Sequence, residues 1–264
     1  LIGFGETCMD DEVDAIIVNI KKVDAVLLDR FVNLKYVCRT GVGLDMVDLD
    51  ECARRNIKVV NTPGANADSV ADICVWGILG LLRKTYLPFV GLQDTFKFKG
   101  KEVNQNTIAI FGFGAIGKGI YHRLKAFGAT SFLIYDPYLS NEMINSFEYC
   151  EKSDDKDYII KNSDIISLNL PLTKETHHFI GKYEFGLMNN DVIIANVARG
   201  AVIDEKCLIE FMRANADAGA YLDVWEDEPL APSHELRELK NIVITPHIGA
   251  MTHGAYKRMH EFVI

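Results

Sequence analysis

Short apolar runs alternate along this chain with longer stretches whose apolar residues recur every three or four positions. DAIIV (14–18), LKYVCR (34–39) and IKVVNT (57–62) read as buried strands. Between them, KKVDAVLLDRF (21–31) and DLDECARRN (48–56) carry helical spacing, which predicts a small βαβαβ unit. The stretch ADSVADICVWGILGLLRKTYLPFV (67–90) predicts one long helix, starting near Asn66 or Asp68 and ending by Pro88. A helix this apolar is expected to pack against another domain or another subunit.

A second alternating series follows. TIAIF (107–111), FLIYD (132–136), DIISLNL (164–170), DVIIANV (191–197), AGAYLDV (218–224) and NIVIT (241–245) predict strands. Helical patterns fill the gaps, among them GKGIYHRLKAFG and EKCLIEFMRAN. Strands that are apolar almost throughout belong in a parallel sheet covered on both faces. Right-handed crossovers then make the sheet doubly wound. The expected fold is α/β, with two doubly wound parallel-sheet domains of Rossmann or flavodoxin type and a cleft between them. Residues 1–65 with 250–264 would form one domain and 66–249 the other. Ligands are expected at the carboxyl ends of the strands.

Composition narrows the function. A net charge of −9 without a basic block argues against a nucleic-acid partner. No apolar run is long enough to span a membrane, and the opening LIGFGETCMDDEVD lacks a signal-peptide pattern. Six cysteines stand singly, with no CxxC and no Cys/His cluster, so neither a metal site nor a disulfide framework is expected. Reduced thiols and a cytoplasmic location fit that usage. The acidic EKSDDKD (151–157) reads as a solvated face.

The strongest candidate for binding chemistry is FGFGAIGKGIYHRLKAFG (111–128). Gly112, Gly114 and Gly117 follow a predicted strand and open a predicted helix, and Asp136 ends the next strand nineteen residues beyond Gly117. That context turns a weak glycine pattern into a dinucleotide cradle. Gly112 permits the turn, Gly114 lets the pyrophosphate approach, and Gly117 lets helix and strand pack. The N–H groups of Ala115 and Ile116 favour the phosphates. Asp136 would accept from the adenosine ribose hydroxyls and repel a 2′-phosphate, which selects NAD.

Polar residues at other strand ends supply candidate chemistry. Arg199 lies just past one strand, Asp223 at the end of another with Glu228 in the loop after it, and His247 immediately past the last, behind Pro246. Reduction of a carbonyl by hydride needs a cation to polarise the C=O and a proton donor for the developing alkoxide. A carboxylate beside the imidazole orients it. Each residue alone also fits a surface ion pair or a loop turn; together, beside the cradle, they point to an oxidoreductase. The remaining histidines, at 122, 177, 178, 234, 253 and 260, are less well placed.

Seven segments, in order, resemble the D-isomer-specific 2-hydroxyacid dehydrogenases, near the D-3-phosphoglycerate dehydrogenase branch. They are GVGLDMVDL (41–49), NTPGANADSVAD (61–72), GFGAIGK (112–118), LPLTKET (170–176), NVARGAVID (196–204), LDVWEDEPL (222–230) and TPHIGA (245–250). The resemblance implies that Arg199 binds the keto-acid carboxylate and carbonyl, His247 is the acid/base and Glu228 its partner. It implies that Asp223 holds the nicotinamide carboxamide. Thr62, Leu170, Val197 and the turn of Ile248, Gly249 and Ala250 would line NAD. Val42, Gly43 and Asn66 would meet the substrate. A homodimer joined through the helix after Asn66 is also implied.

The expected activity is NAD-dependent interconversion of a D-2-hydroxy acid and its 2-keto acid, the pair 3-phosphoglycerate and 3-phosphohydroxypyruvate among the candidates. A hydroxypyruvate or glyoxylate reductase is the alternative, and a NAD(H)-sensing corepressor-like protein the rival of another class. Two features depart from the phosphoglycerate pattern. Asn19 stands in IIVNIKK where that branch often has Arg, leaving Lys21 or Arg39 as phosphate contacts. The family's first strand and helix are expected to be shortened or absent.

Overall fold

The computed structural model describes residues 10–19, 21–86 and 99–263. The chain forms two compact units, one of residues up to Asn66 and from Ala250 onward, the other of Ala67–Gly249.

In the smaller unit, β1 (Ala15–Val18), β2 (Tyr36–Arg39) and β3 (Lys58–Asn61) pair in parallel in the order β1-β2-β3. Two short helices make the crossovers, α1 (Ala25–Leu28) and α2 (Leu49–Arg54). Asp24 and Asp48 cap them, each side chain accepting an N–H from the first turn. Val18, Val23, Leu28, Leu34, Val37, Val47, Cys52 and Ile57 form the core.

The larger unit is a seven-stranded parallel sheet. Its strands are β4 (Ile108–Phe111), β5 (Phe132–Tyr135), β6 (Cys150–Lys152), β7 (Ile165–Leu168), β8 (Ile193–Asn196), β9 (Gly219–Leu222) and β10 (Ile242–Ile244). The order β10-β9-β8-β7-β4-β5-β6 reverses direction between β4 and β7. That switch point is where an open α/β sheet leaves a crevice for a ligand. Alternation along each strand sends Ile108 and Ile110 to one face and Ala109 and Phe111 to the other. One face packs under α3 (Ala67–Leu82), α4 (Ala115–Ala126) and α5 (Asn141–Asn145); the other packs under α6 (Lys156–Lys161), α7 (Lys182–Phe185) and α8 (Glu205–Ala214).

Three sequence expectations are refined. The helix after Asn66 stops at Leu82, short of Pro88. Lys84 takes the left-handed conformation, φ 53°, while the N–H of Thr85 reaches back to Gly80 and that of Lys84 to Leu81. This is a Schellman termination with lysine in the place glycine usually takes. Pro88 itself lies in 87–98, outside the described residues. The apolar face of α3 is met by its own unit, against α4, β8 and β9. Third, the stretch 151–157 is more than a solvated face. Glu151 and Lys152 lie in β6, paired to β5, and α6 begins at Lys156 behind its cap Asp155.

Candidate active site

The glycine turn lies at the switch point. Gly112 has φ +86°, and a Cβ there would lie 2.8 Å from the carbonyl oxygen of Asn169. A Cβ on Gly117 would lie 2.2 Å from the carbonyl oxygen of Gly112, so helix α4 approaches the turn too closely for any side chain. At Gly114 a Cβ would meet nothing within 4 Å. Gly114 and Ala115 are exposed at the start of α4, whose first N–H groups form an anion site. Asp136, 9% exposed, accepts the N–H of Phe113 at 2.9 Å on one oxygen and that of Tyr138 at 3.0 Å on the other. It therefore ties its strand end to the glycine turn and keeps lone pairs for further donors. These features fit a dinucleotide.

Leu170 and Val197 are 7% exposed, packed into the cores on opposite faces of the sheet, so each can meet a cofactor only with its backbone or an edge.

Along the same sheet rim, Arg199 follows β8. Asn196, fully buried, shapes its turn: its amide donates to the Arg199 carbonyl at 2.9 Å and its oxygen accepts the Ala198 N–H at 3.1 Å. The guanidinium of Arg199 donates to the Ala198 carbonyl at 2.7 Å. After β9 comes Glu228, and after β10 comes His247. The two meet: His247 Nδ1 lies 2.6 Å from Glu228 Oε2. His247 has φ +51°, and its N–H bonds to the carbonyls of Asp223 and Thr245. A non-glycine residue held in the left-handed region marks a constrained position.

Asp223 holds that turn. One oxygen accepts the Thr245 hydroxyl at 2.6 Å and the Ile248 N–H at 2.9 Å; the other accepts the Gly249 N–H at 2.8 Å. Tyr221 extends the chain through a 2.8 Å contact with the Thr245 hydroxyl. Burial pushes the Asp223 carboxyl above its ordinary range, opposed by these three donors and by His247. Asp223 is 2% exposed, and its two oxygens accept three bonds that hold the histidine turn. The N–H groups of Ile248 and Gly249 both donate to it. The residues that order the turn beneath the imidazole, Thr245 and Tyr221, carry no sequence signal beyond polar atoms on buried strands.

In the smaller unit, Thr62 is fully buried and its hydroxyl accepts the Gly41 N–H at 2.9 Å. It thus shapes the loop of Val42 and Gly43 rather than presenting a surface of its own. Val42 is exposed, and its carbonyl accepts the Asn61 amide at 2.8 Å. Asn66 Oδ1 is buried without a partner among the described residues. Ala250 packs against Ala65, Ala255 and Met259, the last two on α9 (His253–Val263). Arg39, 8% exposed, bonds to its neighbour's carbonyl at Thr40 and to Asn19 Oδ1 at 3.2 Å.

Among the described residues no His, Cys, Asp and Glu group suits a metal ion, and no helix is long and apolar enough to cross a membrane.

The family model for the NAD-binding domain of D-isomer specific 2-hydroxyacid dehydrogenases matches residues 82–249. The chain belongs to this family. It is an NAD-dependent oxidoreductase of D-2-hydroxy acids. The dehydrogenase is 39% identical to a hydroxypyruvate reductase of Thermotoga maritima, over 94% of this chain and 81% of that one. It is 38% identical to a D-3-phosphoglycerate dehydrogenase of Archaeoglobus fulgidus, over 89% of this chain and 45% of that one. The fold matches a D-lactate dehydrogenase of Aquifex aeolicus, solved with NAD and lactic acid. There the TM-score is 0.83 at 31% identity, covering 95% of this chain and 80% of that one.

Proposed function

We propose that this dehydrogenase reduces a small, unphosphorylated 2-keto acid such as hydroxypyruvate or glyoxylate, with Arg199, Glu228 and His247 as its catalytic residues. The observation that carries the chemistry is the 2.6 Å bond between His247 Nδ1 and Glu228. Glu228 fixes the proton on Nδ1 and leaves Nε2 to face the substrate oxygen. NADH, when bound, supplies the hydride that reduces the carbonyl carbon. Arg199 pairs with the substrate carboxylate and draws electron density toward the carbonyl oxygen. His247 Nε2–H gives its proton to the developing alkoxide, while Glu228 stabilises the charged ring beforehand. In the oxidative direction the neutral ring takes that proton back.

The choice of substrate rests on Arg39 and Asn19. Of the two cations offered for a phosphate, Arg39 is buried and bonded to Thr40 and Asn19 while Lys21 is exposed, and the position that would supply a third is itself Asn19. The likeness to the Thermotoga hydroxypyruvate reductase supports the same reading. NADH oxidation against hydroxypyruvate, glyoxylate, pyruvate and 3-phosphohydroxypyruvate tests it. The first two should give the highest kcat/KM. A preference for the phosphate ester overturns the substrate choice; silence on all four, with NADH still binding, overturns the reaction.

A homodimer through α3 is part of the proposal. Trp76 stands 55% exposed on that helix, beside an apolar groove of about 600 Å³ lined in part by Tyr86, Leu239 and Ile242. Trp76→Asp should halve the mass measured by light scattering; a wild-type chain that is already monomeric refutes it.

A further inference from the structure

We propose that Glu205 and Glu226 form a clasp that sets the spacing between Arg199 and the Glu228–His247 pair, making both positioning residues for the reduction. The proposal rests on the catalytic reading of that trio. Glu205 opens α8, and Glu226 stands two residues before Glu228. Each carboxylate accepts the other residue's backbone N–H. Glu226 Oε1 takes the Glu205 N–H at 3.1 Å, and Glu205 Oε2 takes the Glu226 N–H at 3.2 Å.

Two imidazoles lock the pair. His178 Nε2 lies 2.9 Å from Glu226 Oε1, and His234 Nε2 lies 3.0 Å from Glu205 Oε1. His234 Nδ1 accepts the Leu236 N–H at 3.3 Å, so its proton sits on Nε2 and points at Glu205. His178 is held in turn. Its N–H bonds to the Ala201 carbonyl at 2.7 Å, its φ is +51°, the ring of His177 stacks on it at 4.0 Å, and Asp204 faces its Nδ1 at 3.8 Å.

The clasp reaches Arg199 through the backbone. A Cβ on Gly200 would fall 1.8 Å from the Trp225 carbonyl carbon and 2.4 Å from the Glu226 nitrogen. The turn carrying Arg199 therefore lies directly on the segment that leads to Glu228. Fixing Glu226 to α8 fixes both arms of the site at once. Among the described residues no bond joins either glutamate to Glu228 or His247, so the effect on chemistry is one of placement. Catalytic groups need to be held within about 0.5 Å of the productive geometry.

The experiment compares Glu226→Ala, Glu226→Gln, His178→Ala and His247→Ala by kcat, KM for NADH and the pH profile of kcat. Glu226→Ala should lower kcat by roughly tenfold to a hundredfold. It should leave KM for NADH nearly unchanged and shift the pH profile, because Glu228 is no longer seated on His247. Glu226→Gln keeps an oxygen to accept from Glu205 and His178, and should retain most of kcat. His178→Ala removes one outer tie and should cost less than Glu226→Ala. Unchanged kcat and pH profile in a Glu226→Ala variant that binds NADH overturns the clasp, and so does a Gln variant as damaged as Ala. If Glu226→Ala fails to bind NADH, His178→Ala decides: reduced kcat supports the clasp and unchanged kcat overturns it. Activity that survives His247→Ala overturns the catalytic reading beneath it instead.

Discussion

Asp136 follows β5 and Asp223 follows β9, on one rim of one sheet, 9% and 2% exposed. Both accept backbone N–H groups, yet their positions differ in what is left over. Asp136 takes one donor on each oxygen and ties down the glycine turn at Phe113. Asp223 takes three donors and sits under the turn that carries His247. The first carboxylate has one donor on each oxygen beside the glycine turn; the second has three donors and holds the turn of His247. An aspartate at a strand end thus announces a location, and the donors around it decide the task.

Removing Asp223 is the most severe way to break this comparison. Asp223→Ala strands the N–H groups of Ile248 and Gly249, at about 1–3 kcal/mol for each group left unsatisfied, and leaves the Thr245 hydroxyl with Tyr221 alone. The melting temperature should fall by several degrees. kcat/KM should drop as far as in His247→Ala, by roughly two to four orders of magnitude. An active Asp223→Ala enzyme would mean that the histidine turn stands without it. Asp136→Ala should act on the other axis. Losing a charged acceptor for the ribose should raise KM for NADH by roughly tenfold to a hundredfold, with kcat at saturating NADH little changed. The preference against NADPH should weaken in parallel. A kcat defect as large as the KM defect would erase the distinction between the two aspartates.

Gly117→Ala sharpens the cofactor side. Its Cβ would press on the Gly112 carbonyl at 2.2 Å, and overpacking of this kind costs about 1–3 kcal/mol. Weaker NADH binding by isothermal titration, with His247 chemistry intact at saturation, is the expected result. Equal NADH affinity in mutant and parent would show that α4 does not need to approach the turn so closely.

The sequence made the cradle legible because its chemistry is local: strand, glycines, helix and Asp136 lie within one βαβ stretch. The apolar strands were legible for the same reason, each a run of Val, Ile, Leu or Phe with polar flanks. β6 was not, since Cys150, Glu151 and Lys152 form a half-exposed edge with no apolar run. The end of α3 was hidden by Lys84, whose left-handed backbone is stabilised by bonds to Gly80 and Leu81 rather than by its own side chain. The site divides likewise. Arg199, Glu228 and His247 are residue types that the proposed chemistry demands at strand ends. The clasp of Glu205 with Glu226 joins residues 21 positions apart through backbone N–H groups, which no spacing reveals.

The smallest expected effect concerns pH and isolates Asp223 from its neighbours. Burial raises its carboxyl above the ordinary value, so the folded chain binds this proton more tightly than the unfolded chain. Between the unfolded and folded values, stability from this group alone rises as pH falls and declines as pH rises. Other shifted carboxylates change the absolute curve; Glu51, held down to about 2 by Arg54 and Arg55, works in the opposite sense. The useful quantity is therefore a difference. The melting temperature of the parent minus that of Asp223→Asn should increase as pH is lowered through the window above about 4. A flat difference means that Thr245, Ile248 and Gly249 compensate the burial in full. A difference of opposite slope means that they exceed it, and Asp223 would then be stabilised in its charged form.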